Sequence, residues 1–170
     1  MSEPVTLFSA ELPSPIGPLA LVASPLGLCA VGFDSNWARV RTELERRFGP
    51  IALTAHDDPA GAVTSLRRYF EGDVRAIESI PVDTGGTPFQ QEVWMGLRRI
   101  PAGQTWSYAD MAVAVGRPTA TRAVGAANGA NPVGVVLPCH RVIGSNGSLT
   151  GYGGGLPRKV WLLRHEGALL

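Results

Sequence analysis

Three short apolar runs open the chain, each closed by a proline- or glycine-containing turn. Thr6 to Leu12 leads into Pro13-Ser14-Pro15-Ile16-Gly17-Pro18, Leu19 to Ala23 leads into Ser24-Pro25-Leu26-Gly27, and the third run spans Leu28 to Phe33. This spacing predicts an antiparallel meander of strands. The period then changes: Trp37, Val40, Leu44 and Phe48 recur every three or four residues among Arg and Glu, which predicts a helix over 36–48 stopped by Gly49-Pro50. Residues 51–59 read as a loop, 60–70 as a second helix with Val63, Leu66, Tyr69 and Phe70 on one side, and 77–82 as a further strand. Asp83-Thr84-Gly85-Gly86-Thr87 reads as a linker that separates an N-terminal domain, 1–84, from a C-terminal one, 85–170.

Beyond the linker the pattern is mainly helical. Thr87 can cap a helix with Pro88 in its first turn, and Phe89, Val93, Leu97 and Ile100 follow at helical spacing until Pro101-Ala102-Gly103. Ser107 can cap a helix of 108–115 that ends at Gly116. After Arg117-Pro118, Thr119 can cap another helix of 120–129. Helix, tight turn, helix is the helix-turn-helix pattern, which also occurs in proteins that bind no DNA. In its second helix Ala120, Ala123, Gly125, Ala126, Ala127 and Gly129 leave almost no large side chain, and Arg122 is its one basic residue. Such a surface admits close approach of another protein element or of a nucleic-acid groove, and the stretch by itself favours neither. A last helix is expected over 156–166.

Composition narrows the classes. The chain has 170 residues, 45% of them hydrophobic, which excludes wholesale disorder. No apolar stretch approaches the roughly 20 residues of a membrane span, and the N-terminus lacks a basic segment followed by an apolar run. Two cysteines, Cys29 and Cys139, make no disulfide framework, so a reducing, cytoplasmic setting is expected. Cys29, inside the third apolar run, reads as a core cysteine. Net charge is +1, but its distribution is uneven. Residues 1–84 hold 7 basic against 11 acidic side chains, and residues 85–170 hold 8 against 3. The second half therefore suits an anionic partner, although uneven surface charge alone has the same appearance.

The candidate chemistry lies in Val135-Val136-Leu137-Pro138-Cys139-His140-Arg141-Val142-Ile143, where a polar interruption splits strand-like runs. In a regular strand Cys139 and His140 would point to opposite faces. Their cooperation requires a bend or a bridging water. A thiol beside an imidazole can be activated as a nucleophile, and a buried cysteine followed by a polar pair fits the local sequence equally well. Next comes a glycine-rich segment, 144–155, with Tyr152 inside it. It contains no phosphate-loop pattern and reads as a ligand-approaching frame or a solvent loop. Glu166 could orient a histidine in the manner of a triad.

Pro138-Cys139-His140-Arg141-Val142 resembles the active-site signature of the O6-alkylguanine-DNA alkyltransferases. Arg122-Ala123-Val124-Gly125, Asn131-Pro132, Gly151-Tyr152-Gly153-Gly154-Gly155 and Glu166 stand at that family's relative spacing. The resemblance is strong over 88–167 and weaker over 1–84. It implies an α+β protein: a small N-terminal antiparallel sheet with helices, ribonuclease-H-like, then a mainly helical domain with the helix-turn-helix. It implies Cys139 as alkyl acceptor, His140 as a base acting through water, Glu166 as its orienting carboxylate, and Asn131 as a brace of the turn. Tyr108 would hydrogen-bond the guanine and help protonate the leaving base. Main-chain groups of Cys139 and Val142, with Tyr152 and Gly153, would line the base pocket, and Lys159 would be a further substrate-binding residue. Arg122 would fill the stack, and Thr121, Ala123, Gly125, Ala126 and Asn128 would share the DNA-facing helix. Gly153 replaces a serine of some members, removing a hydroxyl.

The implied activity is single, irreversible transfer of the alkyl group from O6-alkylguanine, with O4-alkylthymine a second candidate, to Cys139 after minor-groove binding and base flipping. The implied partner is double-stranded DNA, bound by a monomer, with cooperative binding along DNA also compatible. No cofactor, metal or membrane partner is expected; no CxxC or HxxxH pair accompanies Cys29 or His56. At this length no adaptive-response zinc domain is expected. A DNA-damage-binding protein without transfer would have no use for Cys139, His140 and Glu166 together. A cysteine hydrolase would have none for the small-residue helix and Arg122.

Overall fold

The computed structural model describes residues 3–149 and 151–170; Thr150 of the glycine-rich segment lies outside them. The chain forms two compact units, Met1–Gly85 and Gly86–Leu170.

In the first unit strands β1 (Val5–Leu12), β2 (Leu19–Ser24) and β3 (Gly27–Phe33) form the expected meander. The sheet has a fourth strand, however. Ile51–Ala55, expected as loop, is β4 and pairs parallel to β1 from Val5↔Ile51 to Ser9↔Ala55, so the sheet is mixed with order β3-β2-β1-β4. Helix α1 (Trp37–Phe48) supplies the crossover that a parallel pair requires. Its Val40 and Leu44 pack with Leu7, Val22, Cys29, Ala30 and Ile51, and Trp37, Phe48 and Leu53 flank this core. Gly32 leaves room for the Trp37 ring, whose Cε3 lies 3.0 Å from where a β-carbon would stand. Cys29 is a core residue, as expected, and burial pushes its thiol above the ordinary value.

Helix α2 (Ala62–Phe70) buries Val63, Leu66 and Tyr69. The strand expected over 77–82 is absent. Ala76–Ser79 is a 3₁₀ turn, and Ile77 and Ile80, three residues apart, are both buried. Pro81 has no N–H to offer a ladder. Only Val82 makes a bridge, parallel to Leu28. The segment is a strap over β3: Leu28 N donates to Pro81 O and Asp83 N to Leu28 O, both at 2.8 Å. Asp83 then accepts from Ser24 Oγ at 2.6 Å and pairs with Arg47 of α1.

In the second unit α3 (Pro88–Leu97) and α4 (Tyr108–Ala114) begin at full capping boxes, Thr87 with Gln90 and Ser107 with Asp110. Helix α5 (Thr121–Gly129) does not start at Thr119: Ala120 occupies the cap and no side chain bonds there. Val93, Trp94 and Leu97 of α3 and Val124 and Ala127 of α5 are buried, and Trp94 Nε1 donates to Ala127 O at 2.7 Å. The strand-like run 135–137 is turn rather than strand. Strand β6 is only Val142–Ile143, paired parallel to β5 (Trp106–Ser107). Helix α6 (Leu156–His165) buries Lys159, Leu162 and Leu163. None of the helices among the described residues is long and apolar enough to cross a membrane.

The strap predicts a measurable sensitivity at Gly27. An added β-carbon there would stand 2.8 Å from main-chain atoms of Pro81 and Val82, which no rotamer change can relieve. Gly27→Ala is expected to cost about 1–3 kcal/mol, the range for overpacking, read as a lower urea midpoint with an unchanged slope.

Candidate active site

The turn before the nucleophile is built by one side chain. Asn131 Oδ1 accepts from Val133 N at 2.9 Å, and its Nδ2 donates to Leu137 O at 2.8 Å. Within the turn Val135, fully buried, has φ 71°, a backbone region that β-branched residues rarely adopt. Asn131 thus ties both ends of its amide to the backbone of this turn. The chain then tightens, with Cys139 N donating to Leu137 O at 2.7 Å, and enters a 3₁₀ turn, Cys139–Arg141. Three residues per turn spread the side chains of Cys139, His140 and Arg141 around one axis instead of onto two opposite faces.

These side chains meet the end of α6. His140 Nε2 lies 2.9 Å from Glu166 Oε2. Arg141 grips the same carboxylate with Nε on Oε1 at 2.8 Å and Nη2 on Oε2 at 2.9 Å, and its Nη1 donates to Ile100 O at 2.7 Å. The His140 and Glu166 side chains have no exposure and Arg141 has 2%. Cys139 is 7% exposed. Burial alone would raise the Glu166 carboxyl, but the bonds from His140 and Arg141 outweigh it and hold it far below the carboxylate range. Burial also lowers His140, against the opposing pull of Glu166, and so favours the neutral imidazole. Since the ionised carboxylate only accepts, Nε2 carries the proton. Nδ1 is buried with no partner among the described residues. Burial pushes the Cys139 thiol up, with Asn131 and the Lys159 charge pulling the other way.

Not every expected contact has the expected orientation. Lys159, expected as a substrate-binding residue, is fully buried, with Nζ donating to Val142 O at 2.8 Å and reaching Gly151 O at 3.4 Å. It braces the wall of the site and is not placed to touch a base. Asn128, expected on the DNA-facing side, points inward: it is 6% exposed, its Nδ2 is 3.4 Å from Cys139 O, and its Oδ1 has no partner among the described residues. The exposed face of α5 carries Thr121, Arg122, Ala123 and Ala126. Gly125 serves packing, because the Tyr108 ring comes within 3.7 Å of where its β-carbon would be. Tyr108 and Tyr152 are half-buried, Val142 is fully buried and Gly153 is exposed. The Tyr152 hydroxyl is buried without a partner among the described residues, and burial raises its pKa well above the ordinary value. No group of three or more His, Cys, Asp or Glu side chains among the described residues could hold a metal ion.

Arg141 received no role from the sequence. The available signal was an arginine between His140 and the apolar pair Val142-Ile143, in a motif whose single carboxylate was already assigned to a histidine.

Comparison with known proteins follows this division of the chain. Residues 88–168 match the DNA binding domain of 6-O-methylguanine DNA methyltransferase, and residues 7–84 its ribonuclease-like domain. The chain belongs to the 6-O-methylguanine DNA methyltransferase family. Relatives named methylated-DNA--protein-cysteine methyltransferase include one from Shigella flexneri, 48% identical over 168 residues, covering 96% of this chain and 98% of its own. Another, from Methanosarcina acetivorans, is 37% identical over 163 residues, covering 95% and 99%. Among solved structures, Mycobacterium tuberculosis OGT in complex with DNA superposes with a TM-score of 0.77 at 41% identity, covering 96% of this chain and 94% of that one. The family's coarse activity therefore applies: the enzyme repairs DNA by moving an alkyl group from it to a protein cysteine.

The buried acid–base pair sets a pH dependence of stability. His140 is depressed, so as pH falls below about 6.5 the unfolded chain takes up a proton before the folded one does, and stability is lost. Glu166 is also depressed; its contribution is complete above the ordinary carboxylate range and is lost only as pH falls below it. Urea unfolding at pH 5.5 is expected to give about 1 kcal/mol less stability than at pH 7.5. His140→Asn should flatten that difference while lowering stability at both values.

Proposed function

We propose that the chain repairs O6-alkylguanine in double-stranded DNA by one irreversible transfer to Cys139. The observation that carries this reading is the buried Glu166–His140 pair, one residue from a buried cysteine, in the same unit as a small-residue helix whose exposed face bears Arg122.

The O6 position of a stacked guanine cannot reach a thiol that is 7% exposed, so the base has to leave the stack. Helix α5 lies in the minor groove, where Thr121, Ala123 and Ala126 allow close contact and Arg122 takes the place of the extruded base. The base enters beside Tyr108, the main chain of Cys139 and Val142, and Tyr152-Gly153. His140 Nδ1, bare in the tautomer that Glu166 selects, takes the thiol proton through a bridging water. The sulfur attacks the alkyl carbon, the carbon–O6 bond breaks, and guanine leaves with that electron pair. Tyr108 hands a proton to the departing base and is reprotonated from the active-site pool. The net change moves the alkyl group to sulfur and the thiol proton to guanine.

The product is a thioether. It has no carbonyl for water to attack, so each chain acts once. O4-alkylthymine presents the same alkoxy group on a ring and is a second substrate. The protein acts as a monomer in a reducing, intracellular compartment, where its two free cysteines stay thiols.

Titrating a duplex containing O6-methylguanine with the protein tests the reading. Lesion loss should rise linearly to one lesion per chain and then stop; loss that continues with time would sink it. Arg122→Ala should keep that stoichiometry but slow the reaction by about tenfold or more, the effect of losing a group that holds the extruded state.

A further inference from the structure

Among the hydrogen bonds that Glu166 accepts, one comes from His140 and two come from Arg141. Oε2 is shared between His140 Nε2 and Arg141 Nη2, and Oε1 is taken by Arg141 Nε. The guanidinium is fixed from its other side by Ile100 O. Arg141 is therefore pinned between the segment that follows α3 and the cap of α6, with almost no exposure.

This changes what His140 meets. A buried histidine beside a lone carboxylate would be drawn into the imidazolium form and could not accept a proton. Pairing with the guanidinium makes Glu166 part of a neutral unit, while its oxygen still accepts from Nε2. Lys159 of α6 and Arg141 of the same turn disfavour a charge on His140, and Glu166 favours one. Tyr152 belongs to the same cluster, influenced by Cys139, Arg158 and Glu166.

We propose that Arg141 is a positioning residue for alkyl transfer: it fixes the Glu166 carboxylate in one orientation and offsets its charge, so that His140 stays neutral, with Nδ1 bare, until Cys139 gives up its proton. Arginine is required for its fork, since a lysine could offset the charge but could not hold both oxygens and the Ile100 carbonyl.

The inference rests on the alkyl-transfer reading, and the test separates the two. Transfer rates at saturating duplex containing O6-methylguanine are measured from pH 5 to 9 for the parent protein, Arg141→Met and Arg141→Lys. If the parent protein transfers nothing at any pH, the underlying reading fails. If it transfers, Arg141→Met should move the acid limb of the profile up by about one pH unit, a tenfold loss on that limb, and approach the parent rate at pH 9. Arg141→Lys should slow transfer while leaving the limb near its parent position. A uniform loss in Arg141→Met with an unmoved limb would reduce Arg141 to a structural role and overturn the proposal. Should Arg141→Met not fold, ¹⁵N NMR of the His140 ring decides. The parent ring at pH 7 should show a protonated Nε2 and a bare Nδ1, and Arg141→Lys a mixture of tautomers. An imidazolium in the parent, or an unchanged single tautomer in Arg141→Lys, would overturn it.

Discussion

A carboxylate with no solvent around it is the constraint on which the second unit depends. Removing an ion from water costs several kcal/mol after relaxation, and burying it is tolerable only with partners of good geometry. Glu166 obtains them from His140 and Arg141, which are adjacent in sequence but 26 and 25 residues away from it. The site therefore forms only when the 3₁₀ turn, the cap of α6 and the Ile100 carbonyl are all in place. Losing one partner of such a cluster typically costs about 3–5 kcal/mol, so catalytic geometry and folding of this unit are tied together.

The turn that delivers Cys139 is made at a cost of its own. Val135 sits at φ 71° and Asn131 spends both ends of its amide on backbone groups to hold the turn. Asn128 is buried beside the Cys139 peptide, with no partner for its carbonyl oxygen among the described residues. Groups of this kind lower stability and persist where a site has to be shaped in advance. The small residues of α5 serve in both directions. Gly125 and Ala127 let Tyr108 and Trp94 close in from within, while Ala123 and Ala126 keep the outer face shallow.

Much of this was legible from residues alone. The capping boxes at Thr87 and Ser107 are written in three-residue spacings, and the helical stripe of α1 in its period. The adjacency of Cys139 and His140 left a bend or a bridging water as the ways for them to cooperate, and the chain does bend there, into a 3₁₀ turn. Other features are set by distant groups. Ile51 and Leu53 alternate over too few residues to announce β4, and the strand exists because β1 offers it an edge. The spacing of Ile77 and Ile80 suits a 3₁₀ turn as well as a strand end, and Pro81 decides against the strand. The inward turn of Asn128 and the burial of Lys159 follow from helix phase and from carbonyls elsewhere in the unit. A motif shows which residues are present but not which way they face. Arg141 shows this most plainly, since its partners are Glu166 and Ile100.

The account centres on Cys139 as the final holder of the alkyl group. Intact-protein mass after reaction with a duplex containing O6-methylguanine, followed by peptide mapping, addresses that directly. The account predicts a gain of one methyl group, confined to the peptide containing Cys139 and absent from Cys139→Ala. A methyl group on Cys29, or repaired DNA with an unmodified chain, would contradict it.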